Sequence, residues 1–399
     1  MLVETINHDA AETKTALEGL AGINLVVRPE RCVAVRNRHA SCTRCSDACT
    51  SGAISREDGE LRIEHEKCVG CGTCATVCPT CALETRHPND AVLTAHALAS
   101  AKSNGGKAVF TCHRCFERNP SCNDADVVRV VCLSRLEETL LMNLFAEGVA
   151  EIIAVKADCE NCPRHQGARS IQLVQSTMGE LMRDWEIDCT FEVLDELPEL
   201  GIINAEAPYV DTVCDSVPVP GDEQVAMSEQ AVEDDGVPSA SSSTLGTSHL
   251  THVQADGTLP HFLPVRRGKL LDALAKFGEP QVDSVDSRLW GYITIDADRC
   301  CSCRMCTVFC PTGALSRIDA DNGLFGIEHY TSECVHCKLC QDICPEQAIT
   351  ASSRVPAKLL ATGAVERHIM PLPTWHTGTD QILRRMETQI GGNEVAHSY

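Results

Sequence analysis

Cys300-x2-Cys303-x2-Cys306-x3-Cys310-Pro311, followed by Cys334-x2-Cys337-x2-Cys340-x3-Cys344-Pro345, is the stretch that decides the fold. A second pair of the same kind lies near the N-terminus: Cys32-x9-Cys42-x2-Cys45-x3-Cys49, then Cys68-x2-Cys71-x2-Cys74-x3-Cys78-Pro79. These four strings hold 16 of the chain's 26 cysteines. Thiolates are soft ligands that bond covalently to iron, and a C-x2-C-x2-C loop is short enough to wrap three corners of one iron–sulfur cube. Zinc sites use two separate C-x2-C pairs, so interlocked four-cysteine strings fit zinc poorly.

Each string ends in a similar tail: Cys49-Thr-Ser-Gly-Ala-Ile54, Cys78-Pro-Thr-Cys-Ala-Leu83, Cys310-Pro-Thr-Gly-Ala-Leu315 and Cys344-Pro-Glu-Gln-Ala-Ile349. Short alternating stretches such as Leu61-Arg-Ile-Glu-His65 and Tyr292-Ile-Thr-Ile-Asp296 precede the strings and predict strands. The unit is an internal repeat, used twice near each end of the chain.

Residues 29–86 and 288–353 resemble bacterial ferredoxins with two [4Fe-4S] clusters. In that family three close cysteines hold one cubane and the fourth reaches the other. The resemblance implies four [4Fe-4S] clusters. One would sit on Cys300, Cys303, Cys306 and Cys344, and another on Cys334, Cys337, Cys340 and Cys310. The N-terminal pair would use Cys68, Cys71, Cys74 and Cys49, and Cys32, Cys42, Cys45 and Cys78. The Cys32 string departs from the pattern, with nine residues before its second cysteine and Thr50 where proline is expected. That insert, Val33-Ala-Val-Arg-Asn-Arg-His-Ala-Ser41, is basic and flanked by Arg31 and Arg44. A positive loop against a cluster raises its potential, and is also a candidate docking patch. A complete cubane is expected here, with a degraded or three-iron site as the alternative.

Between 105 and 200 the pattern changes. Lys107–Thr111, Val127–Val131 and Glu151–Val155 are continuous apolar runs, as in a buried parallel sheet. Helices are predicted near Leu136–Glu147 and Ser170–Trp185, so this segment reads as a small α/β domain with crossover helices. Its cysteines Cys112, Cys115, Cys132, Cys159 and Cys162 follow the strands, at the carboxyl edge where ligands gather. They are candidate ligands of a further centre, [2Fe-2S] or [4Fe-4S]; zinc and an unliganded dithiol remain open. The sequence Val131-Cys-Leu-Ser-Arg135, with Asp158-Cys-Glu-Asn-Cys162 downstream, resembles the delta subunit of methyl-viologen-reducing hydrogenase, which implies a [2Fe-2S] centre linked to heterodisulfide reductase. Ser134 replaces that family's glycine, and its Gly-Asp-Cys-His-Tyr stretch is absent.

The expected architecture is therefore α+β: two ferredoxin-like dicluster modules flank a small α/β domain with parallel strands, joined by a disordered linker. Residues 1–28 form an N-terminal extension with a helix at 10–20, and 204–262 the linker, acidic and then rich in Ser, Gly and Pro. Residues 354–399 form a tail with one helix at 379–388. The linker suggests that one module can swing between partners. A helix near Arg266–Phe277 precedes the second module. Cys81 occupies the slot held by Gly52 and Gly313, and reads as a small buried residue. Cys301 breaks the x2 spacing, leaving Cys300 the ligand, while Cys189 and Cys214 are isolated. His113, His165 and His336 are expected to face solvent or support ligands rather than bind metal.

A formal charge of −22 argues against nucleic acid as a partner, because binding a phosphate backbone needs clustered cations. No leader or membrane span is apparent, so a cytoplasmic setting without direct membrane insertion is expected. P-loop, G-x-G-x-x-G and Ser/His/Asp patterns are missing, so no catalytic residue is assigned. What remains is an iron–sulfur electron-transfer subunit of a multisubunit oxidoreductase, its partners a catalytic redox subunit and an electron acceptor protein. The alternative is a redox sensor that uses the middle cysteines as its switch.

Overall fold

The computed structural model describes residues 25–371 apart from 58–59, 86–87, 120–121, 123–125, 199, 201–253, 255–256 and 320–324. The expected helices at 10–20 and 379–388, most of the expected linker, and Cys214 lie outside the described residues.

The N-terminal module consists of Leu25–Val27 (β1), Val33–Arg36 (α1), Arg44–Asp47 (α2), the hairpin Ile54–Glu57 (β2) and Glu60–Ile63 (β3), Thr73–Val77 (α3) and Leu83–Thr85 (β4). β1 and β4 pair antiparallel, Val26 opposite Glu84, and close the module on itself. Its helices are single turns, too short to persist alone. Ala34, Val35, Ile54, Leu61 and Leu83 pack with Cys32, Cys74 and Cys78 to hold them.

The middle domain begins with Asp90–Ser103 (α4), capped by the Asn89 side chain, which accepts from the Val92 N–H at 2.9 Å. Lys107–Cys112 (β5), His113–Arg118 (α5), Val128–Val130 (β6), Glu138–Ala146 (α6), Glu151–Val155 (β7), Gln166–Asp184 (α7) and Thr190–Leu194 (β8) follow. The strands form one parallel sheet in the order β6-β5-β7-β8. α4 and β8 have no counterpart in the sequence expectation. α4 scatters small alanines round the helix instead of forming an apolar stripe. β8 is an edge strand whose Thr190 and Glu192 face solvent.

Val265–Ala275 (α8) leads into Ser284–Asp286 (β9), Tyr292–Ile295 (β10), Met305–Phe309 (α9), Leu315–Asp319 (β11), Phe325–Tyr330 (β12), Leu339–Asp342 (α10), Ile349–Ser352 (β13), Arg354–Pro356 (β14), Ala357–Thr362 (α11) and Val365–Ile369 (β15). β14 pairs with β9, and β15 joins the β11–β12 hairpin as a third strand. The segment from 354 to 369, expected as part of a tail, is therefore folded into the C-terminal module.

The three parts are not beads on a string. The largest core joins Phe110, Leu141 and Ile171 of the middle domain to Leu270, Trp290 and Leu360 further on. A second core unites Val33 and Ala40 from the insert of the first cysteine string with Met305, Val308, Phe309, Leu339 and Ile343. The two dicluster modules are thus in direct contact, and the expectation of a swinging module is not met. The insert that departs from the repeat is the surface on which the modules meet.

Candidate metal centres

Backbone conformation shapes the loops first. In three of the four strings the middle cysteine is flanked by left-handed residues: Gly70 and Gly72, Ser302 and Arg304, His336 and Lys338. Alternating hand coils the loop and turns successive N–H groups inward, a concavity suited to an anionic group. The tail slot is left-handed in all four strings, at Gly52, Cys81, Gly313 and Gln347. This conformation strains any residue but glycine, so Cys81 sits there for reasons other than backbone ease. It helps present the next N–H to sulfur: Ala82 donates to the Cys78 Sγ at 3.3 Å and Ala348 to the Cys344 Sγ at 3.2 Å.

The cysteines gather in sets around cavities. Cys49, Cys68, Cys71 and Cys74 line one, the outer N-terminal site. Burial pushes the Cys74 thiol well up, with Cys71, Cys45, Cys68 and Cys49 adding to it. Cys32, Cys42, Cys45 and Cys78 line the inner N-terminal site. There burial pushes Cys45 up to about 12, aided by Cys32, Cys78 and Cys42. Cys300, Cys303, Cys306 and Cys344 surround the outer C-terminal site, with Cys301 also on its wall. At the inner C-terminal site burial raises Cys340, then Cys337, Cys334, Cys306 and Cys310 do. Each set crosses between strings, three cysteines from one and the fourth from its neighbour.

At the carboxyl edge of the parallel sheet Cys112, Cys132, Cys159 and Cys162 line a further cavity. It lies where the chain leaves β5 toward β6 on one side and β7 flanks it on the other. Burial pushes Cys159 up to about 11, with Cys132, Cys112 and Cys162 contributing. Cys115 is not among them. It lies in α5 and packs against one face of the sheet with Val109, Val127, Ile153 and Val155.

Buried thiols held this close are poor thiolates on their own, since desolvation and mutual repulsion both favour the proton. A positively charged metal core reverses that balance. Among the described residues no three His, Cys, Asp or Glu side chains converge tightly enough for a single ion. The thiols stand around volumes, which suits a multi-atom cluster better than zinc. The donor sets therefore fit iron–sulfur clusters.

The five sites adjoin one another in series. Val131 lines both the sheet-edge cavity and the outer N-terminal one, and Cys71 acts on Cys132. Ser134 Oγ donates to the Cys71 carbonyl at 2.7 Å, and Thr76 Oγ1 to the Ser134 carbonyl at 2.6 Å. Cys45 acts on Cys74, Cys42 on Cys337, and Cys310 on Cys306. The contact of Cys42 with Cys337 crosses the junction between modules.

Two arginines are site residues that spacing alone does not reveal. Arg36, 2% exposed, donates from Nε to the Phe309 carbonyl at 3.3 Å and from Nη2 to that of Cys310 at 3.4 Å. Its Nη1 reaches the carbonyls of Glu30 and Pro260. Arg266 donates to the carbonyls of Ala75 and Cys78 at the end of α3. The basic insert signalled Arg36; nothing in the sequence marks Arg266.

Comparison with known proteins agrees with these loops. The sequence profile of the 4Fe-4S dicluster domain matches residues 40–82, and that of the 4Fe-4S binding domain matches 293–316 and 327–350. The chain therefore carries ferredoxin-type 4Fe-4S domains near both ends, as the repeats suggested. It is 44% identical over 48 residues to electron transport protein HydN of Escherichia coli, covering 11% of this chain and 27% of that one. It is 28% identical over 112 residues to the putative oxidoreductase AegA of the same species, covering 27% and 16%. An iron-sulfur protein of Rhodospirillum rubrum is 32% identical over 80 residues, covering 20% and 42%. The matches thus span less than half of each relative's length. No helix among the described residues is long and apolar enough to cross a membrane.

Proposed function

We propose that the chain is an iron–sulfur electron-transfer subunit of a cytoplasmic multisubunit oxidoreductase, of hydrogenase, formate dehydrogenase or heterodisulfide-reductase type. Its partners would be a catalytic redox subunit and an acceptor protein. The sixteen cysteines of the four strings would hold four [4Fe-4S] clusters, and Cys112, Cys132, Cys159 and Cys162 a fifth centre. The observation that carries the reading is the unbroken series of five thiol-lined sites from the sheet edge to the far C-terminal site. Bound clusters supply reversible one-electron chemistry.

The chain's own residues hold the ligands at fixed separations, because the shared cores prevent the modules from moving apart. Leu83, Phe309 and Leu339 exclude water from the sulfur side. The N–H groups of Ala82 and Ala348 place positive charge on ligand sulfurs, which favours the more reduced state. HydN's name as an electron transport protein supports the reading. The test is iron and acid-labile sulfide per chain after anaerobic reconstitution, with electron paramagnetic resonance of the reduced protein. About eighteen to twenty irons fit four cubanes and a fifth centre; about sixteen would remove the fifth, and far fewer would overturn the relay.

A further inference from the structure

The first cysteine string differs from the other three in one physical respect. Around Cys42, its counterpart of Cys71, Cys303 and Cys337, neither Ser41 nor Thr43 is left-handed, so its backbone does not form the N–H concavity that the other loops present. Side-chain cations stand there instead. Arg44 and Arg56 line the inner N-terminal cavity, and both favour the Cys42 thiolate. Arg44 donates from Nη2 to the His336 carbonyl across the junction at 3.0 Å. Arg36 lies deeper, its guanidinium bonded only to neutral carbonyls, with the Cys310 and Cys337 thiols as its nearest acidic groups.

The outer sites are arranged differently. Arg135 beside the outer N-terminal cavity is paired with Asp90 at 2.5 Å. At the outer C-terminal cavity Arg304 is accompanied by Glu346. The ion pair opposes the charge of Arg135 directly, and Glu346 shares a cavity wall with Arg304. At the junction the half-buried Asp342 carboxylate is occupied by the Ser41 N–H and hydroxyl, both at 2.8 Å.

We propose that Arg36, reinforced by Arg44, is the charge that sets the potentials of the two inner clusters above those of the outer pair, making the module junction the place where a transferred electron rests. The proposal rests on the electron-transfer reading above. A buried cation with no carboxylate partner favours the neighbouring state that carries one more negative charge. One electron is gained there and one lost by the donor; no bond breaks and no proton moves. Arg36 acts through charge and is a positioning residue, not a ligand.

The experiment is a potentiometric titration of the full reconstituted chain, followed by electron paramagnetic resonance, comparing wild type with Arg36→Gln, Arg36→Lys and Arg44→Gln. Iron content is measured first. If the wild type lacks its cubanes the electron-transfer reading fails, whatever Arg36 does. With cubanes present, Arg36→Gln is expected to lower the reduced-to-oxidised ratio of the highest-potential clusters about tenfold at fixed poise, a shift of about 59 mV for a one-electron couple. Arg36→Lys, which keeps the charge and loses the forked hydrogen bonds, should stay close to wild type. Arg44→Gln, on the rim, should shift the same signals in the same direction by less, and decides the matter if Arg36→Gln does not fold. Unchanged potentials in the glutamine variants overturn the proposal. An equal shift in the lysine variant overturns it too, because geometry rather than charge would then be responsible.

Discussion

Gly167, in the first turn of α7, stands against Cys132 with no room for a Cβ between its α carbon and the sulfur. A side chain of any size at 167 must push Cys132 out of the sheet-edge cavity. Alanine favours a helix over glycine by about 1 kcal/mol, so Gly167→Ala does not weaken α7 itself. On the proposed cluster content, the variant is expected to lose the iron of the fifth centre, about two to four per chain, and keep the other sixteen or so. Iron and sulfide analysis beside wild type checks this; an unchanged count would show that Cys132 is not a ligand.

The shared core at the junction makes a second prediction about the segment between residues 200 and 254. Because Val33 and Ala40 pack directly on Phe309 and Leu339, transfer between modules should not depend on linker length. Deleting residues 215–245 leaves about 22 residues, a reach of about 70 Å, so the ends remain joined. Intermodule electron transfer measured by rapid-mixing spectroscopy should keep its wild-type rate. A slower rate would restore the swinging module.

Phe309 is the converse test. It is fully buried between the modules, and the Arg36 guanidinium rests on its carbonyl. Phe309→Ala should cost about 3–5 kcal/mol by removing the ring and leaving a cavity. Loss of stability in denaturant should be accompanied by weaker magnetic coupling between the inner clusters, since the junction they face across is loosened. Lower stability with coupling unchanged would mean that Phe309 serves its own module alone.

Much of this was legible in the sequence because cysteine spacing is a local code. The grouping of Cys300, Cys303 and Cys306 around one cavity follows from chain geometry within a few residues. The continuous strand at Glu151–Val155 declared itself equally well through its apolar run. What spacing does not encode is contact between distant segments. That Cys115 packs against the sheet instead of lining the cavity with Cys112 depends on the turn from β5 into α5. That Arg266 caps the end of α3 depends on α8 docking on α6, across more than a hundred residues. The nine-residue insert announced itself as an anomaly, but its role needed the partner module in place. Val365-Glu-Arg-His-Ile369 does not declare β15, because its three central residues are polar and the run is short, and only its pairing with β12 makes it a strand.

The last prediction concerns His329, fully buried on β12 with neither ring nitrogen hydrogen-bonded among the described residues. Burial, and then the charge of His368, push it down to about 4 from an ordinary value near 6.5. Well above pH 6.5 neither the folded nor the unfolded chain holds a proton there, so His329 leaves stability unchanged. As pH falls from about 6.5 toward 4, the unfolded chain takes up the proton and the folded one does not, so stability declines. At pH 5.5 the loss amounts to about 1.4 kcal/mol relative to pH 8. Replacing the ring with another of similar shape forfeits no hydrogen bond, so His329→Phe should fold normally and lack this part of the acid-side decline. Denaturant midpoints of the reconstituted protein at pH 8 and pH 5.5, with and without the substitution, measure it directly. Parallel declines in the two proteins would show that the buried imidazole is protonated as readily in the folded chain as in the unfolded one.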